Sequence, residues 1–137
     1  MYEVFEHTAD LGLRVRGKTK EELFAEAGRG LSAMIVANLD SIQPVQTRTI
    51  EVAGEDLGFL MFDWLNELLY AFESDKLLLS RFEVQIAGDR LHAVCSGEQM
   101  DQQRHEMEHE VKAITYHQLR VEEAEDGGWL AEIIVDI

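Results

Sequence analysis

The chain has 137 residues, 46% of them hydrophobic, one Pro, and a formal net charge of −15 from 12 basic and 27 acidic side chains. A chain of this length is expected to form one domain with its own core, since folding removes roughly two-thirds of its surface from water. Twelve cations against 27 acids argue against a groove for RNA or DNA, because phosphate binding needs Lys and Arg to displace counterions, and such an acidic surface suits basic protein partners or hard cations.

The single Cys95 cannot form an internal disulfide, so a reducing, cytoplasmic compartment is expected. The opening MYEVFEHTAD is acidic and lacks the apolar core of a signal peptide. The apolar run at 57–69 is broken by Asp63, Asn66 and Glu67, which makes it too short and too polar to span a bilayer.

Residues 2–5 read as a short strand. Leu11, Leu13 and Val15 alternate with Gly12, Arg14 and Arg16, the pattern of a half-buried strand. Counting by twos puts Asp10 on the polar face with Arg14 and Arg16, exposed where the strand begins. On position alone, an Asx-type turn or a charge partner for Arg14 is the better explanation.

Thr19-Lys20-Glu21-Glu22 is a capping box, and Leu23, Ala27, Leu31, Met34 and Ile35 follow at helical spacing, so a helix is predicted over 19 to about 36. Residues 47–52 read as a strand after Pro44. A second helix is predicted over about 55–74, with Glu55 and Asp56 suited to its positive end. It is apolar nearly all round, through Leu57, Leu60, Met61, Trp64, Leu65, Leu68 and Phe72, with Phe59, Phe62 and Tyr70 widening the face. Such a helix is central to a core, with a self-association contact as the alternative.

Leu77–Ala87 and 90–95 flank Gly88-Asp89 as a hairpin. Residues 97–109 are polar and read as a loop or short helix. Residues 110–123 read as one long strand, Asp126-Gly127-Gly128 as a turn, and Trp129–Asp136 as the closing strand. The sum is an α+β fold, two helices packed on a mostly antiparallel sheet of six or seven strands.

Two constellations could carry chemistry. His105-Glu106-Met107-Glu108-His109 matches H-E-x-x-H, which on a helix sets two imidazoles one turn apart for zinc with the Glu as general base. Glu122, Glu123 or Glu125 could supply a third ligand by spacing, giving a metal-dependent hydrolase. The strand signal directly after His109 competes with that helix. In the predicted strand, Val111, Ala113, Thr115, His117, Leu119 and Val121 form one face, expected to be buried, and Lys112 lies on the other.

Alternation in the last strand also puts Asp136 on the more polar face. Asp10, Lys112 and Asp136 therefore all fall on wet faces. If those strands are neighbours, two carboxylates, the α-carboxylate of Ile137 and a lysine converge. An all-oxygen set of that kind favours Ca²⁺, Mg²⁺ or Mn²⁺ over zinc.

Four separated stretches in this order, HTADLG at 7–12, FDWLNELLY at 62–70, RH at 104–105 followed by EVKAITYH at 110–117, and VDI at 135–137, resemble the archease family along the whole chain. The resemblance implies an α+β fold and an accessory role, not a catalytic one. The implied partner is an RtcB-type tRNA-splicing RNA ligase, which joins RNA ends with GTP and Mn²⁺. Archeases promote its guanylylation and its repeated turnover. The family's metal-binding acids correspond to Asp10, Asp136 and the Ile137 carboxylate, with a calcium-like ion, and its functional lysine to Lys112. A chaperone or scaffold without metal dependence is the third reading.

Overall fold

The computed structural model describes residues 1–7 and 10–137. Thr8 and Ala9, within the HTADLG stretch, lie outside the described residues. The chain runs β1 (Tyr2–His7), β2 (Asp10–Gly17), α1 (Lys20–Ile35), a 3-10 turn (Leu39–Ser41), β3 (Gln46–Ala53), α2 (Leu57–Asp75), β4 (Leu77–Ala87), β5 (Arg90–Gln99), β6 (Ala113–Ile114), β7 (Arg120–Glu123) and β8 (Trp129–Asp136). The expected α+β class holds, and the strand pairs are antiparallel.

The strands divide between two sheets. One has the order β1-β2-β8-β6, with β7 also on β8, and the other is β3-β5-β4. Each helix touches both sheets, α1 chiefly through β4 and β2, α2 through β3, β4, β6 and β7. One continuous apolar cluster results. Leu13, Val15, Ala131, Ile133 and Val135 supply the large sheet's inner face and are fully covered. Each large aliphatic buried this way contributes roughly 1.5–3 kcal/mol.

Local chemistry sets the helix ends. Thr19 accepts the Glu22 N–H at 3.1 Å, while the Glu22 carboxylate reaches the Lys18 N–H and not that of the cap residue. Asp56 caps α2 by accepting from Gly58 and Phe59. Lys76 ends it in the left-handed region, with φ of 55°. Between the helices, Trp64 is fully buried and its indole N–H donates to the Phe24 carbonyl at 2.8 Å. The apolar face of α2 is therefore core, as its periodicity indicates.

The hairpin at Gly88-Asp89 is observed, with Gly88 at φ of 62°. Further along, the β4–β5 register shifts between Leu79 and Arg81, and Leu78 comes so close to Gly97 that a Cβ there would lie 1.8 Å from its carbonyl oxygen. Cys95 is fully buried in β5, and burial pushes its thiol up to about 12. Only the thiolate is nucleophilic. Iodoacetamide should leave Cys95 unlabelled in the native protein at neutral pH and label it once denaturant is added, which intact-mass measurement would record.

On the outer face of the large sheet, Arg14 bonds Glu132 at 2.6 Å and Glu3 at 2.8 Å, and sits 4.7 Å above the Phe5 ring. The Arg14 bond holds the Glu132 carboxyl below its ordinary value against partial burial, helped by Arg120.

The single strand expected over 110–123 is two short ones, β6 and β7, with Gln118 at φ of 56° between them. Ile114 is buried, while Tyr116 and His117 are exposed, so the expected buried face does not run through. No helix among the described residues is long and apolar enough to cross a membrane.

Candidate functional site

Strand pairing brings together residues that are far apart in sequence. β2 and β8 are paired up to Leu11 with Val135, so Asp10 lies one step beyond, at the end where Asp136 sits. On the other side of β8, Ala113 pairs with Asp136. The Lys112 N–H donates to the Asp136 carbonyl at 2.7 Å. Asp10, Lys112, Asp136 and Ile137 thus gather at one end of the large sheet. Asp136 and Lys112 are exposed; Asp10, expected to be exposed, is half-buried.

Among the described residues, the close ion pairs include none of these three charged side chains. Strand pairing, not mutual neutralisation, therefore keeps these charges together. Asp10 and Asp136 bring oxygen donors only, the type that suits hard cations such as Ca²⁺, Mg²⁺ or Mn²⁺ and not zinc. No three His, Cys, Asp or Glu side chains form a ligand group among the described residues.

Beside this end, the His117 ring meets the His7 ring edge-on, 5.8 Å between centroids. Tyr116 stacks on Phe62 at 3.9 Å and meets Phe59 edge-on at 5.4 Å. Loss of water, then the charge on Asp63, pushes the Tyr116 phenol above its ordinary value. Thr115 is still bonded to Ile134 of β8, and the chain leaves strand geometry at Tyr116, whose ring lies on α2.

The H-E-x-x-H segment does not form the zinc motif. It is not helical, and its backbone caps the C-terminus of α1. The Glu108 N–H donates to the Ile35 carbonyl at 2.8 Å and the His109 N–H to that of Met34 at 3.0 Å. Those carbonyls belong to the helix's last turn, which lacks partners of its own. Ala37 donates back to Glu106, and Asn38 bonds both Arg104 and Glu106.

The His105 side chain is fully buried. Its Nδ1 accepts the Asp101 N–H at 2.9 Å, so its Nε2 carries the proton that it donates to Glu98 at 3.1 Å. Of the acids considered as third ligands, Glu122 is bonded to Arg120 at 2.6 Å. Glu122 and Glu123 pair with Leu130 and Trp129, at the opposite end of β8 from Asp136.

Glu98, which periodicity does not single out, is the hub of that region. It also accepts the Gln43 N–H at 2.6 Å and a bond from Arg104. Burial pushes its carboxyl up, but the Gln43, His105 and Arg104 bonds outweigh it and hold the group below its ordinary value. Alternation along β5 would place Glu98 outward with Val94 and Ser96. It does lie on that side, but there Gln43 and residues 101–105 fold over the strand and cover it. The one sequence signal was the Arg104-His105 pair, whose side chains both reach Glu98.

The Archease protein family (MTH1598/TM1083) matches residues 2–137. The chain is 40% identical to the protein archease of Pyrococcus abyssi over 140 positions, covering 99% of this chain and 98% of that one. It is 42% identical to that of Methanopyrus kandleri, covering 99% of each. Among solved structures it resembles Methanobacterium thermoautotrophicum protein 1598 with a TM-score of 0.87 and 32% identity, covering 99% of this chain and 98% of that one. An archease from Thermotoga maritima, described as a possible chaperone, shares the fold with a TM-score of 0.68 at 22% identity, covering 100% of this chain and 98% of that one.

Proposed function

Because the chain belongs to the archease family, we propose that it is a cytoplasmic accessory protein of an RtcB-type tRNA-splicing RNA ligase, promoting guanylylation and repeated turnover of that enzyme without catalysing a reaction itself. The observation that carries this reading is the register that gathers Asp10, Lys112, Asp136 and Ile137 at one end of the large sheet. The carboxylates of Asp10, Asp136 and Ile137 would hold a divalent cation, calcium foremost, with Mg²⁺ or Mn²⁺ as alternatives. Such an ion supplies concentrated positive charge with coordination positions left over for groups of the partner.

Lys112, exposed and bonded through its backbone to Asp136, would bring an ammonium to the same end, where it can meet a phosphate oxygen of the nucleotide on the ligase. With a net charge of −15, the chain approaches the ligase as a protein ligand and leaves RNA to the enzyme.

The test is a guanylylation assay of a purified RtcB-type ligase with labelled GTP and Mn²⁺, with and without this chain. The chain is used as purified, and also stripped by chelator, desalted and reloaded with Ca²⁺, Mg²⁺ or Mn²⁺. The expected result is faster guanylylation and more than one ligation per ligase with the loaded chain, and a smaller effect with the stripped one. No stimulation with any ion would overturn the reading. Equal stimulation by stripped and loaded chain would favour a metal-independent chaperone.

A further inference from the structure

Helix α2 has a second periodic face that the core does not use. Phe59, Asp63 and Tyr70 are spaced by four and then seven residues, which aligns them along three turns, about 16 Å at 1.5 Å per residue. Phe59 is 54% exposed and Tyr70 64%, while Leu60, Trp64, Leu65 and Leu68 on the opposite side are buried. Tyr116, 51% exposed, extends the stripe sideways through its contact with Phe59.

The charges along this stripe are of one sign. Asp63, Glu67 and Glu73 are exposed, and the helix contains no Lys or Arg. Among the described residues, none of these three acids is in an ion pair. Helix faces turned only toward water gain from opposite charges four residues apart, and like charges at that spacing cost a similar amount. Asp63 and Glu67 are such a like-charged pair. Glu73, in the last turns, opposes the helix dipole. The face thus carries exposed aromatics and uncompensated acids together.

We infer that the outer stripe of α2, extended by Tyr116, is a docking surface for a segment of a protein partner that carries Lys or Arg side chains. Cationic groups pair with Asp63 and Glu67 and lie over the rings of Phe59, Tyr70 and Tyr116, where the aromatic quadrupole attracts them. The charge of the stripe repels nucleic acid and anionic lipid. It also repels a second copy of a chain whose net charge is −15. The inference rests on the ligase reading above and adds where that partner is held and by what chemistry.

Two variants test it, Phe59→Ser with Tyr70→Ser, and Asp63→Lys with Glu67→Lys, each checked for native circular dichroism. With the purified ligase, the concentration of this chain giving half-maximal stimulation should rise roughly tenfold or more for each variant, the scale on which interface anchors act. The stimulated rate at saturation should match wild type, since the carboxylate end is intact. The binding constant of wild type should weaken with added salt. Variants that reach half-maximal stimulation at the wild-type concentration would overturn the docking surface and leave the ligase reading standing. A wild-type chain that stimulates no ligase would remove both. A wild-type dimer in sedimentation equilibrium, dispersed by the aromatic variant, would assign the stripe to a second copy and overturn the inference.

Discussion

Replacing Asp136 with alanine should bring ligase guanylylation down to the rate of the ligase alone, with folding unchanged. Asp136 is exposed at the end of β8, and its side chain is in none of the hydrogen bonds or ion pairs described above. Its loss should therefore change stability by no more than about 0.5 kcal/mol, as for surface positions in general. Removing one of the two side-chain carboxylates of the proposed ion site should weaken divalent binding by roughly 100-fold or more, since even outer-shell partners of metal ligands are worth about 10–100-fold. Calcium titration calorimetry, thermal denaturation and the guanylylation assay on one preparation separate these effects. Full stimulation by a well-folded Asp136→Ala protein would remove the site from the mechanism.

Among polar side chains, a large effect on stability is expected at Glu98. Substitution by alanine leaves the buried His105 N–H and the Gln43 N–H without their acceptor and frees Arg104, at a cost of about 2–3 kcal/mol. Urea unfolding should show the loss as a lowered midpoint with an unchanged slope. The effect should depend on pH. The Glu98 carboxyl is held below its ordinary value of 4.5. A carboxyl whose pKa is depressed by folding contributes stability above its unfolded pKa, and loses it as pH falls through the folded one. Wild type and Glu98→Ala should therefore differ most near neutral pH and converge in acid. A gap that stays constant down to pH 3 would show that packing, not the charge, carries the contribution.

Features written in local chemistry were legible in the sequence. The Thr19 cap, the Gly88-Asp89 hairpin and the core spacing of α2 each depend on residues within a few positions of one another, and each appears in the structure. Asp10, Lys112 and Asp136 could be assigned to polar faces, but not to neighbouring strands, because strand order is a property of the whole sheet.

Two readings failed for a shared reason. The alternation over 110–123 contains no Gly or Pro to mark a break, and the break comes from Tyr116 packing on Phe62, some fifty residues earlier in the chain. The H-E-x-x-H match has helical spacing, but its backbone is committed to the carbonyls of α1. In both cases a distant partner overrode the local pattern.

The position of β8 has a consequence for how the molecule comes to exist. Its eight residues pair with β2 on one side and with β6 and β7 on the other, yet they come after every other described strand. Until β8 emerges, β2 has only β1 to pair with, and a two-stranded hairpin is marginal in water without further packing. The large sheet must wait until residues up to Asp136 have left the ribosome. A chain broken off before Trp129 loses Asp136 together with the strand on which the sheet is assembled. Truncated products should therefore be open, protease-sensitive chains, and not stable impostors that occupy a partner without serving it.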